Sequence, residues 1–266
     1  MDEILISIII PCYNHGQYIY DAINSIEEYK NNDYEIIIIN DGSTDSLTNT
    51  ILEGLKQKGY NVIFQNNQGL GKTRNNGIKI AKGKYILPLD ADNKIRPEFI
   101  IKTIKILESN PNISIVYTDR QLFGSSTELV KVEEFDLSRI VQSNYIDACA
   151  IYRKNVWSFV GGYDENMPLQ GLEDWDFWLS AAEKNFHFFY IPEPLFLYRV
   201  LDNSMLNQLI RNPEIKGLYE YIYKKHISLF LKEFRRYSHD SDILNYERER
   251  PFKTSLKYMY RWLFGK

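Results

Sequence analysis

The sequence has little cysteine, little histidine and no long apolar run. Two cysteines in 266 residues, Cys12 and Cys149, exclude a disulfide scaffold and a cysteine-rich zinc module, and both read as inert core thiols. Four histidines, His15, His187, His226 and His239, show no metal-ligand spacing. His187 lies in the aromatic run 186–190 and reads as packed rather than catalytic. No apolar stretch approaches the ~20 residues needed to span a bilayer. The acidic opening Met1-Asp2-Glu3 runs straight into a strand-like segment, so no signal peptide is read and a cytoplasmic setting is expected. No Gly-x-Gly-x-x-Gly follows the first apolar run, which removes the dinucleotide fingerprint. Gly71-Lys72-Thr73 imitates a phosphate loop, but the glycine required five residues earlier is Asn66. No Gly-x-Ser-x-Gly elbow is present.

What is there is a globular composition: 44% hydrophobic, 25% charged and 14% aromatic. The formal net charge of −3 is unevenly spread. Residues 211–266 hold 13 Lys+Arg against 7 Asp+Glu, while the rest of the chain holds 19 against 28. An acidic body with a basic tail argues against nucleic acid as the partner.

The first half alternates strand and helix signals. Apolar runs predict strands over 4–11, 34–39, 61–65, 85–89 and 113–118. Helical spacing predicts helices over 16–30, 47–58, 71–81 and 98–108, the last with Pro97 at its start. This alternation predicts an α/β fold with a mainly parallel sheet covered on both faces. Beyond residue 120 the pattern thins to strands over 148–153, 186–191 and 195–199 and a helix over 173–184. From Asn212 on it is helical, with Tyr223, Ile227, Phe230 and Phe234 and then Phe252, Leu256, Met259 and Leu263 in apolar register. The expected organisation is a domain over 1–210, with a nucleotide half (1–120) and an acceptor half (121–210), and a basic helical extension over 211–266.

Ligands of open α/β sheets bind beyond the carboxyl ends of the strands. That rule selects Pro11–Asn14, Asp41–Asp45, the loop 66–75 and Asp90–Asp92. Asp90-Ala91-Asp92 places two hard oxygen ligands at one strand end, a pattern suited to Mg²⁺ or Mn²⁺ beside phosphate. By itself Asp-x-Asp is also common in turns. The loop entering the helix near Lys72 and Arg74 can favour a diphosphate, or be a plain connection with both cations solvated. Glu173-Asp174 opens a helix, where acids either answer the backbone dipole or supply a base to a cleft.

Together these segments resemble glycosyltransferase family 2, the inverting sugar transferases of GT-A fold. The resemblance covers roughly residues 5–205. It rests on the order of Ser7–Asn14, Asn40–Asp45, Gln68-Gly69 through Arg74-Asn75, Asp90-Ala91-Asp92, Gly161–Glu165, Glu173–Asp176 and Tyr198-Arg199. It implies a nucleotide-sugar donor, most often linked to uridine diphosphate, and a glycan, glycolipid or glycoprotein-glycan acceptor. It further implies that Pro11, Tyr13 and Asn14 line the base pocket and that Asp41 accepts from the uracil imide. Arg74 and Ala91 would lie near the nucleotide, Asp90 would contact the ribose or metal-bound water, and Asp92 would hold Mn²⁺ or Mg²⁺ on the diphosphate. Asp174 would be the general base, with Glu173 and Trp175 shaping the acceptor pocket. One departure stands out: Leu201 occupies the place of a histidine that completes the metal site in many relatives, with Asp202 next to it. Leu201 also motivates an alternative, a catalytically silent GT-A subunit that binds a partner transferase. In the tail, Lys253, Lys257 and Arg261 with Trp262 and Phe264 suit an anionic membrane surface or a packed or self-associating helix.

Overall fold

The computed structural model describes residues 4–201 and 204–250, together with 253, 254, 257 and 261. The chain divides into two compact units, Met1–Ile222 and Tyr223–Lys266. In the first, β1 (Ile6–Cys12) is buried from end to end, as a non-alternating apolar run requires. It pairs in parallel with β2 (Tyr34–Asp41), which pairs in parallel with β3 (Asn61–Gln65). On its other side β1 takes β4 (Tyr85–Pro88), again in parallel. A short 3-10 turn at Gly16–Tyr18 leads into α1 (Ile19–Glu27), and α2 (Ser46–Gln57), α3 (Leu70–Ile80) and α4 (Pro97–Ser109) follow their strands. Asp45 caps α2, accepting from Leu47 N and Thr48 N.

Neighbouring residues of a strand face opposite sides, so the helices divide between two faces. Ile6, Ile8 and Ile10 share one core with Ile19, Ile23 and Ile26 of α1, Leu52 and Leu55 of α2, and Phe99 and Ile100 of α4. The opposite face takes α3. A Cβ on Gly77 would lie 2.6 Å from Ile9 Cγ2 and 2.7 Å from Ile39 Cδ1, so the bare glycine sets the approach of that helix.

The second half of the unit adds β5 (Lys94–Ile95), β6 (Ile113–Gly124), β7 (Leu129–Val130), α5 (Leu137–Ile140), β8 (Ile151–Arg153), α6 (Lys154–Val160), α7 (Glu173–Glu183), β9 (His187–Val200) and α8 (Met205–Arg211). The strand order is β3-β2-β1-β4-β8-β6-β9-β5, with β7 on β6. β8 runs antiparallel to both neighbours, but its pairings are two residues long, and the long β6·β9 pairing is parallel. The sheet is therefore mixed in sense and mainly parallel by length.

β9 is one strand where the sequence predicts two. Pro192 and Pro194 cannot both continue a regular ladder. The register with β6 jumps from Thr118↔Ile191 to Asp119↔Pro194, so the extra residues bulge out and the strand resumes. Thr118 mends the gap, donating its hydroxyl to Glu193 O. The short elements β5, β7, α5 and α6 carry no signal that periodicity detects. His187, read as packed, is exposed.

In the second unit, which begins within α9 (Ile215–Lys225), the main element is α10 (Ile227–Glu249). Tyr223 meets Phe230 edge to face at 5.0 Å. Phe252, Leu256, Met259, Trp262, Leu263 and Phe264 lie outside the described residues. Among the described residues no helix is long and apolar enough to cross a membrane.

Candidate active site

The turns that follow β1, β2, β3 and β4 meet in a cleft of about 510 Å³. Pro11, Tyr13, Asn14, Asp41, Ala91 and Asp92 all line it, so the structure brings together most of the expected donor residues. Tyr13 is 46% exposed, a ring presented to the cleft mouth. Asn14 adopts φ 55°, a conformation asparagine tolerates better than most residues. Its amide is committed to the next turn: Oδ1 accepts from Thr44 N (2.8 Å) and Asp45 N (3.0 Å), and Nδ2 donates to Thr44 Oγ1. Asn14 thus fixes the shape of the pocket floor.

Asp41 ends β2 and is buried. Its Oδ1 accepts from Gln65 Nε2 (2.7 Å) and Gln68 N (2.9 Å), and its Oδ2 from Gly69 N (2.9 Å). A carboxylate offers about four acceptor directions, so about one remains for a ligand. The start of α3, read as a terminus that can favour a diphosphate, is already occupied. Leu70 N donates to Gln170 Oε1 (2.6 Å) from across the cleft, and Gly69 N is held by Asp41. Gly69 itself has φ +89°, and a Cβ there would overlap the Gln170 amide.

Asp90 and Asp92 follow β4 and diverge in environment. Arg74 Nη2 donates to Asp90 Oδ1 at 2.8 Å. The guanidinium is buried against the Tyr163 ring, and its Nε has no partner among the described residues. Arg74 does not line the cleft with Tyr13; it lines the neighbouring cavity. Lys72 stays at the surface, 3.6 Å from Glu165. Asp92 lies 3.6 Å from His15 Nδ1, and Arg199 Nε donates to its backbone oxygen. Burial and the charge of Asp90 push the Asp92 carboxyl up to about 6, against the pull of His15 and Arg199. That position is short of positive charge, which is the condition under which a buried carboxylate accepts a cation. Among the described residues no group of three His, Cys, Asp or Glu side chains is disposed to hold a metal ion, so phosphate oxygens and water would have to complete a shell begun by Asp92. Leu201 supplies no ligand, and Asp202 lies outside the described residues.

The second cavity, about 480 Å³, shares Leu70, Asp90, Tyr198 and Met205 with the cleft. Glu173, Asp174 and Trp175 line it from the first turn of α7. Glu173 is almost wholly buried and both its oxygens accept from Gly171 N, so it shapes the loop that precedes the helix. Trp175 is also buried, with Nε1 donating to Ile140 O at 2.6 Å. Asp174 is the less buried of the two α7 acids that line the cavity. Trp175 N donates to its Oδ1 (2.8 Å) and Asn144 Nδ2 to its Oδ2 (2.9 Å). The helix N-terminus would lower its pKa, but burial and the nearby Asp147 dominate and push it up to about 7.

Several lining groups carry no signal in the sequence. Asn144, Asp147, Arg120 and Gln170 reach the two cavities from irregular segments or from the late part of β6. They belong to no local pattern, and only the fold brings them to the site. Cys12 and Cys149 are buried thiols, as expected.

The family model for glycosyl transferase family 2 matches residues 7–161, more than half of the chain. An uncharacterized glycosyltransferase of Methanocaldococcus jannaschii is 26% identical over 231 residues, 82% of this chain and 79% of that protein. An uncharacterized glycosyltransferase of Rickettsia felis is 32% identical over 184 residues, 68% of this chain but 30% of the relative. A poly-beta-1,6-N-acetyl-D-glucosamine synthase of Staphylococcus epidermidis is 30% identical over 137 residues, 51% of this chain and 33% of the synthase. The chain thus spans about a third of these two longer relatives. Among solved structures, residues 1–349 of S. aureus TarS in complex with UDP-GlcNAc superpose with a TM-score of 0.68 at 21% identity, over 85% of this chain and 66% of that one. At that identity the likeness speaks for the fold alone. Two adjoining cavities at the carboxyl ends of the strands, the ordered motifs around them and these relatives agree: the chain is a glycosyltransferase and belongs to family 2, with the GT-A fold.

Proposed function

We propose that the chain transfers a sugar from a uridine diphosphate sugar to a hydroxyl of a glycan or glycoconjugate, with inversion at the anomeric carbon. The observation that carries this reading is the Asp174 carboxylate, which faces a cavity that meets the donor cleft at Asp90. The polymer-synthase relative and the UDP-GlcNAc complex of TarS support the donor class.

Single displacement needs one base, unlike the paired carboxylates of glycoside hydrolases. Asp174 takes the acceptor hydroxyl's proton as its oxygen attacks the anomeric carbon. A carboxyl titrating near 7 suits that task, because about half of it is ionised at neutral pH and the ionised form is a stronger proton acceptor than an ordinary carboxylate. Tyr13 flanks the uracil, Asp41 offers its remaining acceptor direction to the base, and Asp90, held by Arg74, faces the ribose. Asp92 would hold Mg²⁺ or Mn²⁺, which supplies Lewis-acid stabilisation of the departing diphosphate. Replacing Asp174 by Asn is expected to lower transfer from UDP-GlcNAc by roughly 10²–10⁴-fold, while calorimetry shows UDP binding unchanged. Unaltered turnover in that variant would remove Asp174 as the base.

A further inference from the structure

The segment 140–148 is fastened to α7 at two points. Trp175 Nε1 donates to Ile140 O at 2.6 Å, and Trp178 Nε1 donates to Ile146 O at 3.1 Å. Both indoles are almost wholly buried. Three residues apart on one helix, they face the same side and hold one loop. Between the fastening points Asn144 turns its amide onto Asp174, 2.9 Å from Nδ2 to Oδ2. The Asn144 carbonyl oxygen is buried without a partner among the described residues. A buried acceptor left empty is uncommon, and such departures collect at working sites. Asp147, on the same segment, lines the same cavity.

From this geometry we propose that Asn144 is a positioning residue for Asp174, with Asp147 as the like charge that shares its cavity. The proposal rests on the reading of Asp174 as the base. With Trp175 N on Oδ1 and Asn144 on Oδ2, the carboxylate is fixed in rotation, one acceptor direction of each oxygen being taken. The amide favours the ionised form. Asp147 acts against it and is the largest ionic influence on the group. The other charged and titratable groups facing Asp174 are Arg74, which favours its ionised form, and Glu173 and Tyr163, which do not. Asp147 is itself raised, by burial first and by the charge of Asp90, while the Cys149 N–H, Arg120 and Arg74 pull it down.

The two residues therefore have opposite effects, which a purely structural role would not produce. In the full chain with ¹³C-carboxyl-labelled aspartate, the Asp174 resonance is assigned by its loss in Asp174→Asn. Its titration midpoint is expected to rise by roughly one pH unit in Asn144→Ala and to fall by a similar amount in Asp147→Asn. The acid limb of kcat/KM for UDP release from UDP-GlcNAc is expected to move with it, with the KM for the donor unchanged. Midpoints that stay within 0.2 of wild type (roughly the resolution of such a titration, far below the expected shift), or that move in the same direction in both variants, overturn the proposal. The base reading fails separately, if Asp174→Asn keeps wild-type turnover whatever the titrations show.

Discussion

Asp174 sits where two demands conflict. Its folded pKa is raised, so between about pH 4 and 7 the folded chain binds more protons than the unfolded one. Stability therefore falls as pH rises through that window, and above it the ionised carboxylate is a standing cost. Asp174→Asn is expected to be the more stable protein at pH 8, by on the order of 1–3 kcal/mol, read as a higher urea midpoint. The same group predicts the activity profile: kcat/KM for transfer should drop tenfold per pH unit below about 7. A variant that loses activity while gaining stability separates a functional acid from a capping one. Asp92 differs in that its deficit is of positive charge, and its raised carboxyl should return toward ordinary values when a divalent cation binds.

At the scale of elements, the sequence was most legible where strands are buried on both faces. The run Ile8-Ile9-Ile10 and the run Ile36–Ile39 announce β1 and β2 because neither strand has a polar side to hide. The turns that close β1 and β2 then place Tyr13 and Asp41, and the turn that closes β4 places Asp90 and Asp92. Legibility falls off after residue 120, where pairings are two residues long and too short to generate a period. Asn144 and Asp147 come from this half, so long-range topology alone brings them to Asp174. Arg74 is legible in the sequence but its direction is not, since burial against Tyr163 and pairing with Asp90 are tertiary facts. Helix α3 offers a test of packing over propensity. Gly77→Ala should gain roughly 1 kcal/mol of helix propensity and lose about 1–3 kcal/mol to overlap with Ile9 and Ile39. The expected net is a loss of roughly 1 kcal/mol in urea unfolding, with α3 displaced from the sheet.

At the scale of the whole molecule, the division at Ile222 coincides roughly with the division of charge. The acidic excess belongs to the unit that holds both cavities, and the basic excess to residues from 211 on. A chain ending at Ile222 should melt cooperatively and still bind UDP. At about 100 times the dissociation constant, UDP should add about 2.7 kcal/mol to its stability. Loss of UDP binding on that truncation would overturn the expectation that the first unit is sufficient for UDP binding.

Leu70, Asp90, Tyr198 and Met205 form a party wall between the cleft and the second cavity, the proposed donor and acceptor sides. Two ligands seated on either side of such a wall are nearly in contact before any reaction. A single molecule carrying a uridine diphosphate at one end and a sugar alcohol at the other therefore needs only a short tether across Asp90. Its second half would bind at an effective concentration in the millimolar range or above. On the proposed reading, the wall that would let one sugar cross in one step also opens the enzyme to inhibitors built as both substrates at once.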